Sequence, residues 1–252
     1  MSTKWTIAEI KSYLSKETVE AAILEQLHND ERKGVQQLLS QYDKRQAQLQ
    51  ALWLRYEQMS QFEQRCWKAG MKYIAGVDEV GRGPLAGPVA AAAVVLPADF
   101  QLIGLDDSKK LSKKQRETFY QYIKEHAIDY QITMIDAETI DQINILNASK
   151  QAMYQAIKQL DKVEHVLIDA VQLEQLAVTQ ESIIKGDQKS ISIAAASVMA
   201  KVTRDRYMEE LHQQFPAYHF DQNSGYGTRH HLEAIRTYGT TPYHRSSFLK
   251  SL

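Results

Sequence analysis

The stretch Tyr73-Ile74-Ala75-Gly76-Val77-Asp78-Glu79-Val80-Gly81-Arg82-Gly83-Pro84 runs from apolar residues through two adjacent acids into a glycine-rich turn. Residues 73 to 78 have the length and character of a strand that ends on a carboxylate. Neighbouring strand residues point to opposite faces, so adjacent acids serve one site only where the chain bends, and Gly81 and Gly83 supply such a bend. Working outward, Val89 to Leu96 is a second apolar run, stopped by Pro97, and Tyr130 to Ile135 alternates apolar and polar residues. Val163 to Asp169 is another apolar run that ends in a carboxylate. Helical patterns near 112–126, 143–160 and 190–215 separate these runs. Strands alternating with helices predict an α/β domain, and early strands close enough for hairpins predict a mixed sheet.

The acids recur at one kind of junction. Asp78 and Glu79 end the first run, Asp169 ends Val166-Leu167-Ile168, and Asp187 follows Ile183-Ile184-Lys185-Gly186. Strand ends are where open α/β sheets bind ligands. Gathered carboxylates repel one another and lose hydration, which divalent cations offset; oxygen ligands favour Mg²⁺ or Mn²⁺. Two such ions can activate water and stabilise the leaving oxygen in phosphodiester hydrolysis. Each acid taken singly reads equally as a cap or turn residue; the repetition favours a shared site.

Gly81-Arg82-Gly83 allows close backbone approach to a sugar or phosphate, and Arg82 suits a phosphate, although a tight turn explains glycines as well. In Ser224-Gly225-Tyr226-Gly227-Thr228 the tyrosine either stacks on a sugar or base or is buried as structure. His219, His230, His231 and His244 lack the spacing of a histidine metal site. Ala194-Ala195-Ala196-Ser197 suits close helix packing. Two locally basic stretches, Lys109 to Arg116 and Lys185 to Arg206, read either as a nucleic-acid groove or as solvated helix faces.

The first 70 residues differ. Thr6-Ile7-Ala8-Glu9 fits a capping box, a second helix is expected over 18–28, and apolar residues from Leu38 to Cys66 recur at helical steps. With 10 Lys+Arg against 9 Asp+Glu the segment is neutral and reads as a packing or docking appendage. The division expected is a helical extension over 1–70 and a catalytic domain over 71–252. Overall, 252 residues with a net charge of -1 allow one large domain and give no global basicity to announce a nucleic-acid partner. A single cysteine, Cys66, forms no internal disulfide, and neither a signal core nor a membrane span is evident, so an intracellular, cytoplasmic chain is expected.

Several of these pieces together resemble the bacterial type 2 ribonucleases H, the ribonuclease HII family. They are IAGVDEVGRGPLAGPVAAAAVVLP, DSKKLS from Asp107 to Ser112, LIDA around Asp169, IIKGDQKSISIAAASVMAKVTRDR, SGYGT and HRSSF, spanning about Tyr73 to Phe248. The resemblance implies a ribonuclease H-like mixed sheet flanked by helices, with the helical start as an extension. It implies metal-holding, catalytic roles for Asp78, Glu79, Asp169 and Asp187, served by two Mn²⁺ or Mg²⁺ ions. It implies that Gly81, Arg82 and Gly83 sense a 2′-hydroxyl and that Tyr226 stacks on the neighbouring deoxyribose. The expected substrates are RNA–DNA hybrids and duplex DNA with embedded ribonucleotides, cut on the 5′ side to leave a 3′-hydroxyl and a 5′-phosphate, a chemistry suited to ribonucleotide excision repair. A monomer is expected. The rivals are a structure-selective DNA nuclease, which needs no 2′-hydroxyl sensor, and a non-catalytic binding module, which leaves the acids unexplained.

Overall fold

The computed structural model describes residues 5–16 and 18–250; the first four residues, read above as part of a start without a signal core, lie outside them. Two compact units divide at Arg55/Tyr56.

In the first unit, helix α1 (Ile7–Leu14) opens on the expected capping box, with Thr6 Oγ1 accepting from the Glu9 N–H and Glu9 Oε2 accepting from the Thr6 N–H. Helix α2 is Ala21–His28, and α3 (Lys33–Met59) carries the chain out of this unit. Ile10, Leu14, Leu27, Val35 and Leu39 form its core.

The second unit begins within α3. The helical pattern that sequence extends to Cys66 is broken at Ser60, after which α4 (Gln61–Lys68) starts. Residues 56 to 68, the last part of the segment before residue 70, pack with this unit. Tyr56 and Met59 lie in its core, and Glu63 and Cys66 are buried.

The sheet is mixed, as expected. Its strands are β1 (Ile74–Val80), β2 (Val89–Val95), β3 (Asp129–Ile135), β4 (His165–Asp169) and β5 (Thr179–Ile183), in the order β3-β2-β1-β4-β5. β1 runs antiparallel to β2 and parallel to β4; β4 runs parallel to β5. The remaining helices are α5 (Lys113–His126), α6 (Ala137–Ile143), α7 (Ile145–Lys158), α8 (Ile191–Gln214), α9 (Phe220–Asn223), α10 (Arg229–Tyr238) and α11 (Ser246–Leu249). Asn144, at φ 67°, separates α6 from α7.

Strand alternation sorts the core into two layers. Ala75, Val77, Ala91, Ala93 and Val166 pack with α7 on one face. Ala92 and Val94 pack against the buried alanines of α8 on the other. The close packing expected of Ala194-Ala195-Ala196-Ser197 is present: all four are buried. At Gly76 there is no room for a side chain, because a Cβ would stand 2.0 Å from the Ser192 carbonyl carbon. That contact sets how closely α8 lies on β1, and α8 begins just past Asp187.

Candidate active site

The predicted acids meet at the end of β1 where β4 runs out. The β1–β4 register closes at Val77–Ile168, one residue before Asp78 and Asp169. No bend occurs at the paired acids: Asp78 and Glu79 both stay in β1 and pair with Ala92 and Ala91. The turn comes afterwards, at Gly81 with φ 92°. Asp78 is buried and takes hydrogen bonds from Ser197 of α8 and from the Glu79 N–H at 2.8 Å. Burial first, then the charges of Glu79 and Asp169, push its carboxyl well above the usual carboxylate range. Burial also raises Glu79, against the opposing pull of Arg82, whose Nη1 stands 3.2 Å from Glu79 Oε1. The other oxygen, Glu79 Oε2, is buried without a hydrogen-bond partner.

Asp169 and Asp187 are joined by the turn between β5 and α8. The apolar run expected to lead straight to Asp187 stops being strand at Ile183. Lys185 is left-handed (φ 57°), and a short 3-10 turn, Gly186–Gln188, carries the acid. The Gly186 N–H donates to Asp169 Oδ1 at 2.6 Å. Asp187 is pushed up to about 6 by burial and by the charges of Asp107 and Asp169.

Asp107, the first residue of the DSKKLS stretch, joins these acids. It is buried, and Gln188 Nε2 donates to its Oδ2 at 3.3 Å. No strand end marks it, and only the fold brings it beside Asp187. Lys109, two residues on, lies in the same field. Burial works against its charge, but Asp107, Asp187, Asp78 and Asp169 together raise its pKa.

Four or five acids coupled in this way suit a hard cation. Among the described residues no three His, Cys, Asp or Glu side chains close on one point as a formed metal site. The orphaned Glu79 Oε2 and the raised carboxyls of Asp78, Glu79 and Asp187 mark where positive charge is lacking.

The residues expected to meet the substrate are adjacent to the acids and to each other. Arg82 and Gly83 are exposed, and a Cβ on Gly83 would touch Tyr226 Cε1 at 3.4 Å. Tyr226 is 47% exposed, which removes the buried structural alternative. Arg82 shares its guanidinium with Glu79 instead of standing free for a phosphate.

Four of the ten lysines and arginines in the basic stretches pair with acids among the described residues. Lys110, Lys113, Lys201 and Arg206 contact Asp106, Glu209, Asp205 and Glu117, as solvated helix faces do. Arg204 is buried. The histidines without metal spacing form a different structure: His231 and His244 are buried with their Nε2 atoms 3.0 Å apart.

Comparison with known proteins agrees with this geometry. The sequence model of the family described as Ribonuclease HII matches residues 75–251, and that of the Ribonuclease HII N-terminal domain matches residues 6–67. A Ribonuclease HII of Oceanobacillus iheyensis is 56% identical over 244 residues, covering 96% of this chain and 94% of the relative. Among solved structures, the ribonuclease H2 of Pyrococcus horikoshii superposes with a TM-score of 0.61 at 27% identity, over 72% of this chain and 95% of that one. The Archaeoglobus fulgidus ribonuclease HII, solved in complex with PCNA, gives 0.62 at 26% identity, over 71% and 100%. Among the described residues no helix is long and apolar enough to cross a membrane. An acid cluster at the β1–β4 end, an exposed tyrosine against a glycine turn and family matches along nearly the whole chain lead to one conclusion: the chain belongs to the ribonuclease HII family, endoribonucleases that hydrolyse RNA in RNA–DNA hybrids.

Proposed function

We propose that this chain cuts on the 5′ side of ribonucleotides embedded in duplex DNA, as well as within longer hybrids, by catalysis with two divalent ions. The observation that carries this reading is the apposition of Gly83 and Tyr226, 3.4 Å from a Cβ position to a ring carbon, directly after the paired acids of β1. An exposed aromatic against an exposed glycine backbone suits a sugar: the ring stacks on it, and the bare backbone comes within hydrogen-bonding range of its hydroxyl.

Asp78, Glu79, Asp169 and Asp187 would hold Mg²⁺ or Mn²⁺, which supply Lewis acidity toward the phosphate and lower the pKa of water. The chain's own residues prepare that site. Ser197 and the Glu79 N–H hold Asp78, the Gly186 N–H holds Asp169, and Arg82 holds one oxygen of Glu79 while the other stays available. Gly81, Arg82 and Gly83 inspect the 2′-hydroxyl, and Tyr226 stacks on the adjacent deoxyribose. A site that hydrogen-bonds a hydroxyl rejects the analogue lacking it, because its own polar groups are left unpaired.

The test is a duplex carrying one ribonucleotide beside its all-DNA twin, with Mg²⁺ and with Mn²⁺. Cleavage of the first alone, leaving a 3′-hydroxyl and a 5′-phosphate, is expected. Asp78→Asn should abolish it while hybrid binding persists. Equal cutting of both duplexes, or metal-dependent turnover by Asp78→Asn, would sink the reading.

A further inference from the structure

The motif His244-Arg245-Ser246-Ser247-Phe248 has no part in the site described so far, yet its first two residues are buried and reach both halves of the sugar-facing surface. The segment is laid along residues 85–87: the Arg245 N–H donates to the Leu85 carbonyl and the Gly87 N–H to the Tyr243 carbonyl, each at 2.8 Å.

The histidine arm has only one consistent set of protons. The Thr241 N–H donates to His244 Nδ1 at 2.9 Å, so that nitrogen is a bare acceptor. Neutral His244 then carries its proton on Nε2 and donates it to His231 Nε2 at 3.0 Å. His231 in turn carries its proton on Nδ1 and donates to the Tyr226 carbonyl at 2.8 Å. Burial lowers the pKa of both rings, which keeps them neutral as this chain requires. The relay thus runs from the backbone at Thr241 to the backbone of the exposed tyrosine.

The arginine arm ends on the glycine turn. Arg245 Nη2 donates to the Gly81 carbonyl at 2.6 Å, Nη1 to the Arg82 carbonyl at 3.0 Å, and Nε to the Gly87 carbonyl at 3.0 Å. In a trans peptide the C=O and the following N–H point in opposite directions. Carbonyls of Gly81 and Arg82 drawn inward to the guanidinium therefore turn the Arg82 and Gly83 N–H groups away from it. Both residues are exposed, and neither N–H has an acceptor among the described residues.

We propose that His244 and Arg245 are positioning residues for sugar recognition, His244 fixing Tyr226 through His231 and Arg245 fixing the Gly81–Gly83 amides as outward donors. This rests on the reading that Tyr226 and the glycine turn meet the ribose and its neighbour.

The experiment uses the full-length protein and three duplexes: one embedded ribonucleotide, the same site with 2′-fluoro in place of 2′-hydroxyl, and a continuous RNA–DNA hybrid. For His231→Leu, the ratio of kcat/KM on the single ribonucleotide to that on the hybrid should fall about tenfold, the effect of one lost hydrogen bond. His231→Asn places an N–H where imidazole Nδ1 stood and should restore most of the ratio. For Arg245→Gln, or Arg245→Lys if the first does not fold, the preference for 2′-hydroxyl over 2′-fluoro should shrink by a similar factor. Variants that lower melting temperature and slow all substrates in equal proportion show a structural role only and overturn the proposal. Tyr226→Ala separates the two failures. An unchanged junction ratio there sinks the tyrosine reading itself; a fallen ratio with His231→Leu unaffected sinks the relay alone.

Discussion

Replacing Gly76 by Ala tests how tightly the site depends on the spacing of β1 and α8. The added Cβ would stand 2.0 Å from Ser192 C, 2.3 Å from Ile193 N and 2.4 Å from Ser192 O. Carbon atoms rest at about 3.5 Å, so the helix must retreat by roughly 1.5 Å at that crossing. These are main-chain atoms at the start of α8, and the Ser192 N–H is committed to Glu63 Oε1 at 3.0 Å, so rotamer change gives no relief. Ala is otherwise the better strand residue by roughly 0.5–1 kcal/mol, whereas overpacking costs about 1–3 kcal/mol. With backbone as the obstacle the upper end applies, and the net loss should be about 2 kcal/mol or more. The effect on activity should be larger. Asp78 rides on β1 and Asp187 on the turn before α8, so their separation changes with the crossing, and a misplacement near 1 Å costs about a hundredfold in rate. Urea denaturation gives the first quantity, and single-turnover cleavage of a hybrid, well below the unfolding midpoint, gives the second. A Gly76→Ala protein with unchanged midpoint and rate would refute the claim that this contact sets the geometry of the acids.

Two further outcomes are expected. The His244 pKa is depressed from 6.5 to about 4 by burial and by His231, so the unfolded chain binds the extra proton first as pH falls. Stability should therefore be full above about pH 6.5 and decline toward pH 4, by up to roughly 3 kcal/mol from this residue; denaturant melts between pH 7 and 5 should show that slope, and His244→Gln should flatten it. Glu63 Oε1 accepts from Ser190 Oγ, Ser192 Oγ and the Ser192 N–H; in Glu63→Ala one hydroxyl can still donate to the other, which stands 3.1 Å away, so two buried donors are left unpaired and the change should cost about 2–4 kcal/mol in thermal melts, with Glu63→Gln costing much less; equal melting of the two variants would contradict this.

The parts of the fold legible in sequence were those with strong periodicity. β1, β2 and β4 are apolar runs of strand length, and α8 carries an unbroken small-residue packing face. β5 was read only from its last residue onward, because Thr179-Gln180-Glu181-Ser182 is a polar edge strand with one neighbour. α6 was not read because the helical pattern seen in sequence begins only at Ile143, next to the joint at Asn144 (φ 67°). Among the candidate acids, Asp78, Glu79, Asp169 and Asp187 stand out in sequence because each lies at the end of an apolar run or just beyond one. Asp107 does not, since it sits in a polar loop and meets Gln188 only across 81 residues of chain. Arg204 looked like part of a basic surface. Nothing local distinguishes an arginine facing solvent from one that donates to the carbonyls of Ala86, Pro88 and Ser224.

The two buried arginines alter what a net charge of -1 means for a protein that handles a polyanion. Burial lowers Arg204 to about 10 and, with Arg204 beside it, Arg245 to about 9, so both remain charged at neutral pH. Their hydrogen bonds among the described residues end on carbonyl dipoles, and those carbonyls belong to the loops that carry the glycine turn and Tyr226. Mobile ions screen exposed lysines within about 8–10 Å, but they penetrate poorly to charges enclosed by protein. Positive charge facing a phosphate backbone at this place would thus come from the interior as well as from exposed side chains.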